Sequence, residues 1–407
     1  MHIASVAYSV YESDSRLRRQ CESLARAGHR VIFLGLGSNG RPRVARTGNV
    51  IAVRTVLRRY RGGSLLQYIA AYVVFIGVTL RILTRRLRRH RLDAVQTSNL
   101  PNLVGLVGWV VRRRGVRWIH DVHDPEPELF ASKFGRRVIG RLGAAALRLI
   151  EGRVFAGADH IILANPPTPR MLHALNRGRK TPWHVFPNMP DETLFPLRPP
   201  RGKGSRRIVF HGTLTRRYCL ETVVAALARL RSEGVRFCFD VIGAGDELAH
   251  LEQIVSEMKL SEYVRFSRAF VPVERIPALI EDAAVGVIPL RADAFVNAVF
   301  PSKLPEYVRL GIPCVASPTP PVREAFSSET LLYAADVVQW SAALRQALDE
   351  GADVMRRAAA AQRTAAARAW QAVEGDFVKT VSGSDSRQVT VGCAATDERY
   401  EGTSATG

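Results

Sequence analysis

Lys303 and Glu306 stand one helical turn apart in the stretch Pro301-Ser302-Lys303-Leu304-Pro305-Glu306-Tyr307. Proline fits the first turn of a helix and glycine its end, so Pro301 and Gly311 predict a helix over 301–310. The apolar run Cys314-Val315-Ala316 that follows predicts a short buried strand. A lysine beside a helix N-terminus suits phosphate, and a carboxylate accepts hydrogen bonds from sugar hydroxyls. The pair therefore fits a sugar nucleotide. An i, i+3 surface ion pair would explain the same two residues without any ligand.

Three other constellations sit at the ends of predicted strands. In Phe210-His211-Gly212-Thr213-Leu214-Thr215-Arg216-Arg217-Tyr218, Gly212 permits close backbone approach and Arg217 can hold a diphosphate through two hydrogen bonds. Arg216 is equally well explained as one more basic loop residue. Gly243-Ala244-Gly245-Asp246 has the strand-to-helix glycine spacing of a nucleotide loop, short of the full dinucleotide fingerprint. The segment His120-Asp121-Val122-His123-Asp124-Pro125-Glu126 packs five ionisable groups into seven residues. Alternate residues of an extended segment share a face, so Asp121 goes with His123, or His120 with Asp124. His123 and Asp124 are assigned to orienting an acceptor hydroxyl or sugar. An N-cap role for Asp124 and a metal site from His120, Asp121, His123 and Asp124 are the alternatives.

The elements that must position these groups repeat one grammar. Strands at 2–8, 31–34, 92–97, 116–120, 158–164 and 183–186 alternate with helices at 14–27, 64–89, 101–114 and 136–156. A stretch rich in Pro, Gly and charge, 187–205, reads as a linker. Strands at 207–210, 236–242, 264–266, 285–289 and 313–317 then alternate with helices at 220–233, 246–258, 274–283 and 301–310. The expected fold is α/β: two Rossmann-like doubly wound domains facing across a cleft. Residues 1–190 form the first and 205–350 the second. An Ala/Arg-rich helix at 352–379 ends in Trp370 and Phe377, and a polar tail at 382–407 is expected to be disordered.

The chain has 407 residues, 47% of them hydrophobic, and a formal net charge of +21. Only six basic residues are lysine and 52 are arginine. Such a chain is drawn to anionic surfaces, phospholipid or phosphorylated substrate. Its basic residues lack interleaved aromatics, which argues against a nucleic-acid platform. The five cysteines are scattered without CxxC spacing, so no metal and a reducing cytoplasm are expected. The N-terminus shows no charged region or cleavage site of a secretory signal. Residues 62–80 carry no charge and are flanked by Arg58, Arg59, Arg61, Arg81, Arg85, Arg86, Arg88 and Arg89. Glycines within that stretch weaken a membrane span. It reads either as a helix lying on a membrane face or as an ordinary buried helix.

In order, the Arg217 loop, Gly243-Ala244-Gly245 and Pro301-Ser302-Lys303-Leu304-Pro305-Glu306-Tyr307 make residues 1–378 resemble glycosyltransferase family 4. The resemblance extends to Asp121-Val122-His123-Asp124, the linker and the Trp370 helix, which in such proteins crosses back to the first domain. It implies a retaining enzyme of the GT-B fold that needs no cofactor and no metal, with the nucleotide-sugar donor held by the second domain. By it, Glu306 holds the ribose hydroxyls, Arg217 and Lys303 the diphosphate, Asp246 lies near the base, and His123 lies beside the reacting sugar. Gly212, Gly243 and Gly245 line the donor site. A glutamate found in many relatives eight residues before the helix glutamate is replaced by Ala298, with Asn297 beside it as the substitute hydroxyl partner. The implied acceptor is lipid-linked or a cell-envelope glycan, and the implied location is cytoplasmic, peripheral at the inner membrane face. A sugar-nucleotide epimerase and a non-catalytic basic binding protein are the competing classes.

Overall fold

Short β-branched and apolar runs closed by glycine or charged residues build two sheets, one in each half of the chain. The computed structural model describes residues 1–37, 43–57, 65–88, 90–134, 138–177, 180–200, 202 and 204–384. The first sheet contains β1 (His2–Val6), β2 (Arg30–Gly35), β3 (Arg43–Thr47), β4 (Val50–Arg54), β5 (Ala94–Ser98), β6 (Arg117–Val122), β7 (His160–Leu163) and β8 (Trp183–Val185). Its order is β3-β4-β2-β1-β5-β6-β7-β8. All neighbours run parallel except β3 and β4, an antiparallel hairpin turned at Gly48, whose φ is +56°. The pattern reading contains no strand there: β3 is interspersed with arginines, but β4 carries the apolar run Val50-Ile51-Ala52-Val53, a strand signal that the reading misses.

The second sheet contains β9 (Arg207–His211), β10 (Cys238–Ile242), β11 (Val264–Phe266), β12 (Val285–Ile288), β13 (Cys314–Ala316) and β14 (Leu332–Tyr333). Its order is β11-β10-β9-β12-β13-β14, parallel throughout. In each sheet the order reverses beside the first strand. β1 lies between β2 and β5, and β9 between β10 and β12. Ligands of open α/β sheets bind at such switch points, outside the C-terminal strand ends.

By contact the chain divides into two units. One comprises residues 1–130, 134–187 and those from 374 onward, and the other 131–133 and 188–373. The expected linker is held within the second unit: Arg198 N–H donates to the Arg309 carbonyl at 2.8 Å, and Arg309 Nε to the Phe195 carbonyl at 2.6 Å. The expected single helix over 352–379 is two helices, Ala352–Ala366 and Trp370–Ser382. The first belongs to the second unit, where Gln362 Nε2 donates to the Val308 carbonyl at 2.9 Å. The later residues join the first unit, where Phe377 meets Phe186 edge-on at 5.6 Å and Glu374 pairs with Arg26 at 2.5 Å. The tail expectation falls mostly on 385–407, outside the described residues, as do Arg58, Arg59, Arg61 and Arg89.

Among the described residues no helix is long and apolar enough to cross a membrane. The Leu65–Leu87 helix buries Phe75, Thr79 and Leu83, four residues apart and so on one face, in the first unit's core. Ile69, Val73 and Val74 are exposed.

Candidate functional site

The second unit's switch point is built from loops that only glycine allows. After β9 the chain turns at Gly212, whose φ is +117°, and its N–H donates to the Ile242 carbonyl at 2.8 Å. Gly243 has φ +149°, and a Cβ there would stand 2.0 Å from the Gly212 oxygen. A Cβ on Gly245 would stand 2.1 Å from the Leu214 oxygen. These two glycines let the β9 and β10 loops lie against each other, a packing role that the glycine spacing alone does not separate from ligand approach.

The expected 301–310 helix forms over Lys303–Arg309 only, leaving Pro301 outside its first turn. Gly311 closes it with φ +69°. The i, i+3 ion pair does not form. Lys303 instead folds over Gly212, where a Cβ would come within 2.4 Å of its Cε. Its ammonium donates to the Tyr218 hydroxyl and lies 4.0 Å from the Tyr218 ring centroid and 5.4 Å from that of Phe210. Only 8% exposed, it is stabilised by aromatic faces, and among the described residues no carboxylate lies within ion-pair distance. Glu306 turns to His211, with Oε2 3.0 Å from Nε2 as a charge contact rather than an aligned hydrogen bond. Tyr307, fully buried, fixes the helix by packing its ring where a side chain on Gly286 would collide, at 2.6 Å.

Arg217 is half-buried, its guanidinium 4.9 Å over the Phe295 ring and without a carboxylate partner among the described residues. Arg216 is exposed and lies 3.7 Å from Glu247, the surface role the sequence left open to it. Phe295 leads into the 3-10 turn Val296–Ala298, which Asp293 nucleates by accepting from the N–H groups of Phe295 and Val296 at 2.9 and 2.7 Å. That turn exposes Asn297 and buries Ala298. Asp246 is exposed at the mouth of the β10 loop. The structure thus brings Gly212, Lys303, Glu306 and Gly243 together, sets Arg217 beside the Asn297 turn, and connects Asp246 to them only through the loop. His211, Tyr218 and Phe295 are the participants the residue pattern did not single out. His211 and Tyr218 bracket the Gly212 loop, and that bracketing was the available signal.

In the first unit, Asp121 is fully buried at the end of β6. It accepts from Arg16 at 2.7 Å, from Gln20 at 2.9 Å and from Gln96 at 3.3 Å, and meets His123 Nε2 at 3.2 Å. Burial alone would raise its pKa; the Arg16 charge, and His123 after it, outweigh that and hold the carboxyl well below the usual range. Arg16 is itself fixed by the Phe186 carbonyl at 3.0 Å. His123, with its backbone N–H donating to Asn99 Oδ1 at 2.8 Å, is the partly exposed end of this network. His120 points away to Thr97 at 2.9 Å, and burial lowers its pKa to about 4. The four residues of the metal alternative therefore do not converge, and among the described residues no three His, Cys, Asp or Glu form a metal group. Asp124 is partly exposed, and its carbonyl accepts from Asn99 Nδ2 at 2.5 Å.

Glu126 lies just beyond, partly buried, with Oε2 accepting the Asn102 N–H at 2.7 Å. Burial, opposed by that hydrogen bond and reinforced by the Glu151 charge, raises its pKa to about 7.

Two parallel α/β units, each with ionisable groups gathered at its switch point, define a doubly wound protein of the nucleotide-binding kind. Residues 13–189 match the glycosyl transferase 4-like domain, and residues 205–350 match glycosyl transferases group 1. The chain belongs to this family of group 1, family 4-like glycosyltransferases. WcaL of Escherichia coli strain K12, provisionally named a colanic acid biosynthesis glycosyltransferase, is 29% identical over 178 residues. The match takes in 41% of this chain and 43% of WcaL, so the chain spans less than half the length of that relative. Sucrose-phosphate synthase from Thermosynechococcus elongatus superposes with a TM-score of 0.73 at 18% identity, over 95% of this chain and 100% of that one. An Escherichia coli trehalose-6-phosphate structure bound with UDP-2-fluoro glucose gives 0.69 at 13%, over 94% and 99%. Anabaena HepE in complex with UDP gives 0.64 at 14%, over 94% and 100%. These likenesses establish the GT-B fold.

Proposed function

We propose that the chain transfers a sugar from a nucleotide-sugar donor, with retention of configuration, to a lipid-linked or cell-envelope glycan acceptor. The observation that carries the reading is the switch point of the second sheet, where Lys303 beside Gly212 and Arg217 over Phe295 have no carboxylate partner among the described residues. Two cations left unneutralised where open sheets bind ligands suit the diphosphate of a nucleotide sugar. As the donor bond breaks, negative charge grows on the departing diphosphate, and Lys303 and Arg217 stabilise it. Glu306, braced by His211, accepts from ribose hydroxyls, and Asn297 contacts the donor sugar. Asp246 lies toward the base. Gly212, Gly243 and Gly245 supply backbone at close range. His123, oriented by Asp121, and Asp124 serve the acceptor hydroxyl.

The Leu65–Leu87 helix supports an acceptor at the cytoplasmic membrane face. It exposes Ile69, Val73 and Val74 and carries Arg81, Arg85 and Arg86 toward its end. No nucleic-acid partner is proposed. A thermal-shift panel of UDP-, GDP-, ADP- and TDP-sugars tests the donor reading, since a ligand bound only by the native state raises its stability. The expected result is stabilisation by one nucleotide class, lost in Lys303→Ala and Glu306→Ala. Binding unchanged in both variants would remove the basis for the site.

A further inference from the structure

A second cationic site lies at the opposite edge of the first sheet. A cavity of about 350 Å³ opens at the N-terminal strand ends, lined by His2, Arg30, Arg46, Asn49, Arg86 and His90 among others. His2 opens β1, Arg30 opens β2, Arg46 lies in β3, and Arg86 is in the last turn of the Leu65–Leu87 helix. No lining residue is an acid. The nearest acid in sequence, Asp93, does not line the cavity: its carboxylate accepts the backbone N–H of His2 at 2.8 Å and pairs with Arg91 at 2.9 Å. Among the described residues no carboxylate reaches ion-pair distance of Arg30, Arg46 or Arg86. The buried His2 Nδ1 has no hydrogen-bond partner.

Three guanidinium groups around one hollow give it a positive potential that favours an anion. Arginine's planar fork pairs bidentately with phosphate oxygens, and Arg46 spends only its Nε, on the Gly48 carbonyl at 3.0 Å. Strands of five or six residues separate this edge from His123 and Asp121 by roughly 17–20 Å, so it is not part of the site above. A larger cavity on the same edge, about 520 Å³, also presents arginines, but there Asp159 already neutralises Arg112 at 2.9 Å. We propose that the His2, Arg30, Arg46 and Arg86 cavity binds a phosphate group, carried by an anionic lipid headgroup or by a soluble phosphomonoester. The inference goes beyond the donor reading and does not depend on it.

The test compares the full chain with Arg46→Glu/Arg86→Glu and with a charge-matched control, Arg236→Glu/Arg275→Glu, in exposed positions of the second unit. Arg46→Gln/Arg86→Gln keeps the test valid if the glutamate pair fails to fold. Probes are inorganic phosphate and glycerol 3-phosphate by calorimetry, and phosphatidylcholine vesicles with or without phosphatidylglycerol by co-sedimentation. The expected result is binding weakened roughly tenfold or more in the site variants and not in the control. Loss of the calorimetric signal assigns a soluble ligand, and loss of vesicle binding alone assigns a headgroup. Nucleotide-sugar binding stays unchanged in either case. Absence of both signals in the native chain, or equal weakening by the control, overturns the site.

Discussion

The two switch points solve opposite electrostatic problems. In the first unit the charges satisfy one another: Asp121, fully buried, is matched by Arg16, Gln20, Gln96 and His123. In the second unit Lys303 rests on Tyr218 and Phe210, and Arg217 on Phe295, with no acid within ion-pair distance of either among the described residues. A saturated network holds one side chain, His123, in a fixed pose and gives up little to a ligand. Two cations on aromatic faces are held in place while their charge stays available. The first arrangement is suited to orientation and the second to binding an anion.

The largest effect should come from breaking the saturated side. Asp121→Ala leaves Arg16 buried without its partner and should cost about 3–5 kcal/mol in denaturant unfolding, and Asp121→Asn, which also removes the compensating charge, should be destabilised as well. An Asp121→Ala protein of native stability would show that the network is not closed as described. On the open side, Arg217→Ala and Lys303→Ala each remove a charged hydrogen-bond donor worth about 1.5–3 kcal/mol, so nucleotide-sugar affinity should fall roughly 10- to 100-fold. The melting temperature should hold for Arg217→Ala, which abandons no acid, and fall modestly for Lys303→Ala, which also loses a buried stem and its Tyr218 hydrogen bond. Gly212→Ala sharpens the contrast, because φ +117° is strained for alanine and its Cβ would displace Lys303. A loss of about 1–3 kcal/mol with weakened donor binding is expected.

The pH dependence separates two acids of the first unit, Asp121 and Glu126. The depressed Asp121 pKa means its contribution is complete above the ordinary carboxylate range and is lost only as pH falls below it. The raised Glu126 pKa works the other way: the folded state binds more protons between about 4.5 and about 7, so stability declines as pH rises through that window. Glu126→Gln should flatten that decline in melts taken from pH 5 to pH 8. The smallest effect is expected for Arg216→Ala, an exposed side chain 3.7 Å from Glu247, with donor affinity and stability within measurement error by the same assays.

Much of this frame is legible in local pattern. The alternation of apolar runs and amphipathic stretches places β1, β2, β5 and β6 and most of the second sheet, because buried parallel strands must be apolar. In the β3–β4 hairpin only β3 is illegible, since an edge strand tolerates arginines; the internal β4 carries the apolar run Val50-Ile51-Ala52-Val53, which the pattern reading misses. The 352–379 stretch reads as one helix because alanine and arginine favour helix throughout. Nothing in propensity marks the break before Trp370.

For the site, residue types alone picked out Gly212, Arg217, Lys303, Glu306 and His123. Their partners were decided by the tertiary fold. Spacing offered Lys303 and Glu306 to each other as neighbours on one helix turn, yet the fold sends Lys303 to Tyr218 and Glu306 to His211. It likewise turns Gly243 and Gly245 into packing contacts, and separates His120 from the Asp121–His123 pair. The sequence by itself determined which chemistry was present and on which strand ends. Only the three-dimensional packing of loops from distant strands decided which charges are neutralised and which stay available, because that depends on distances of a few ångströms between residues 85 to 105 positions apart.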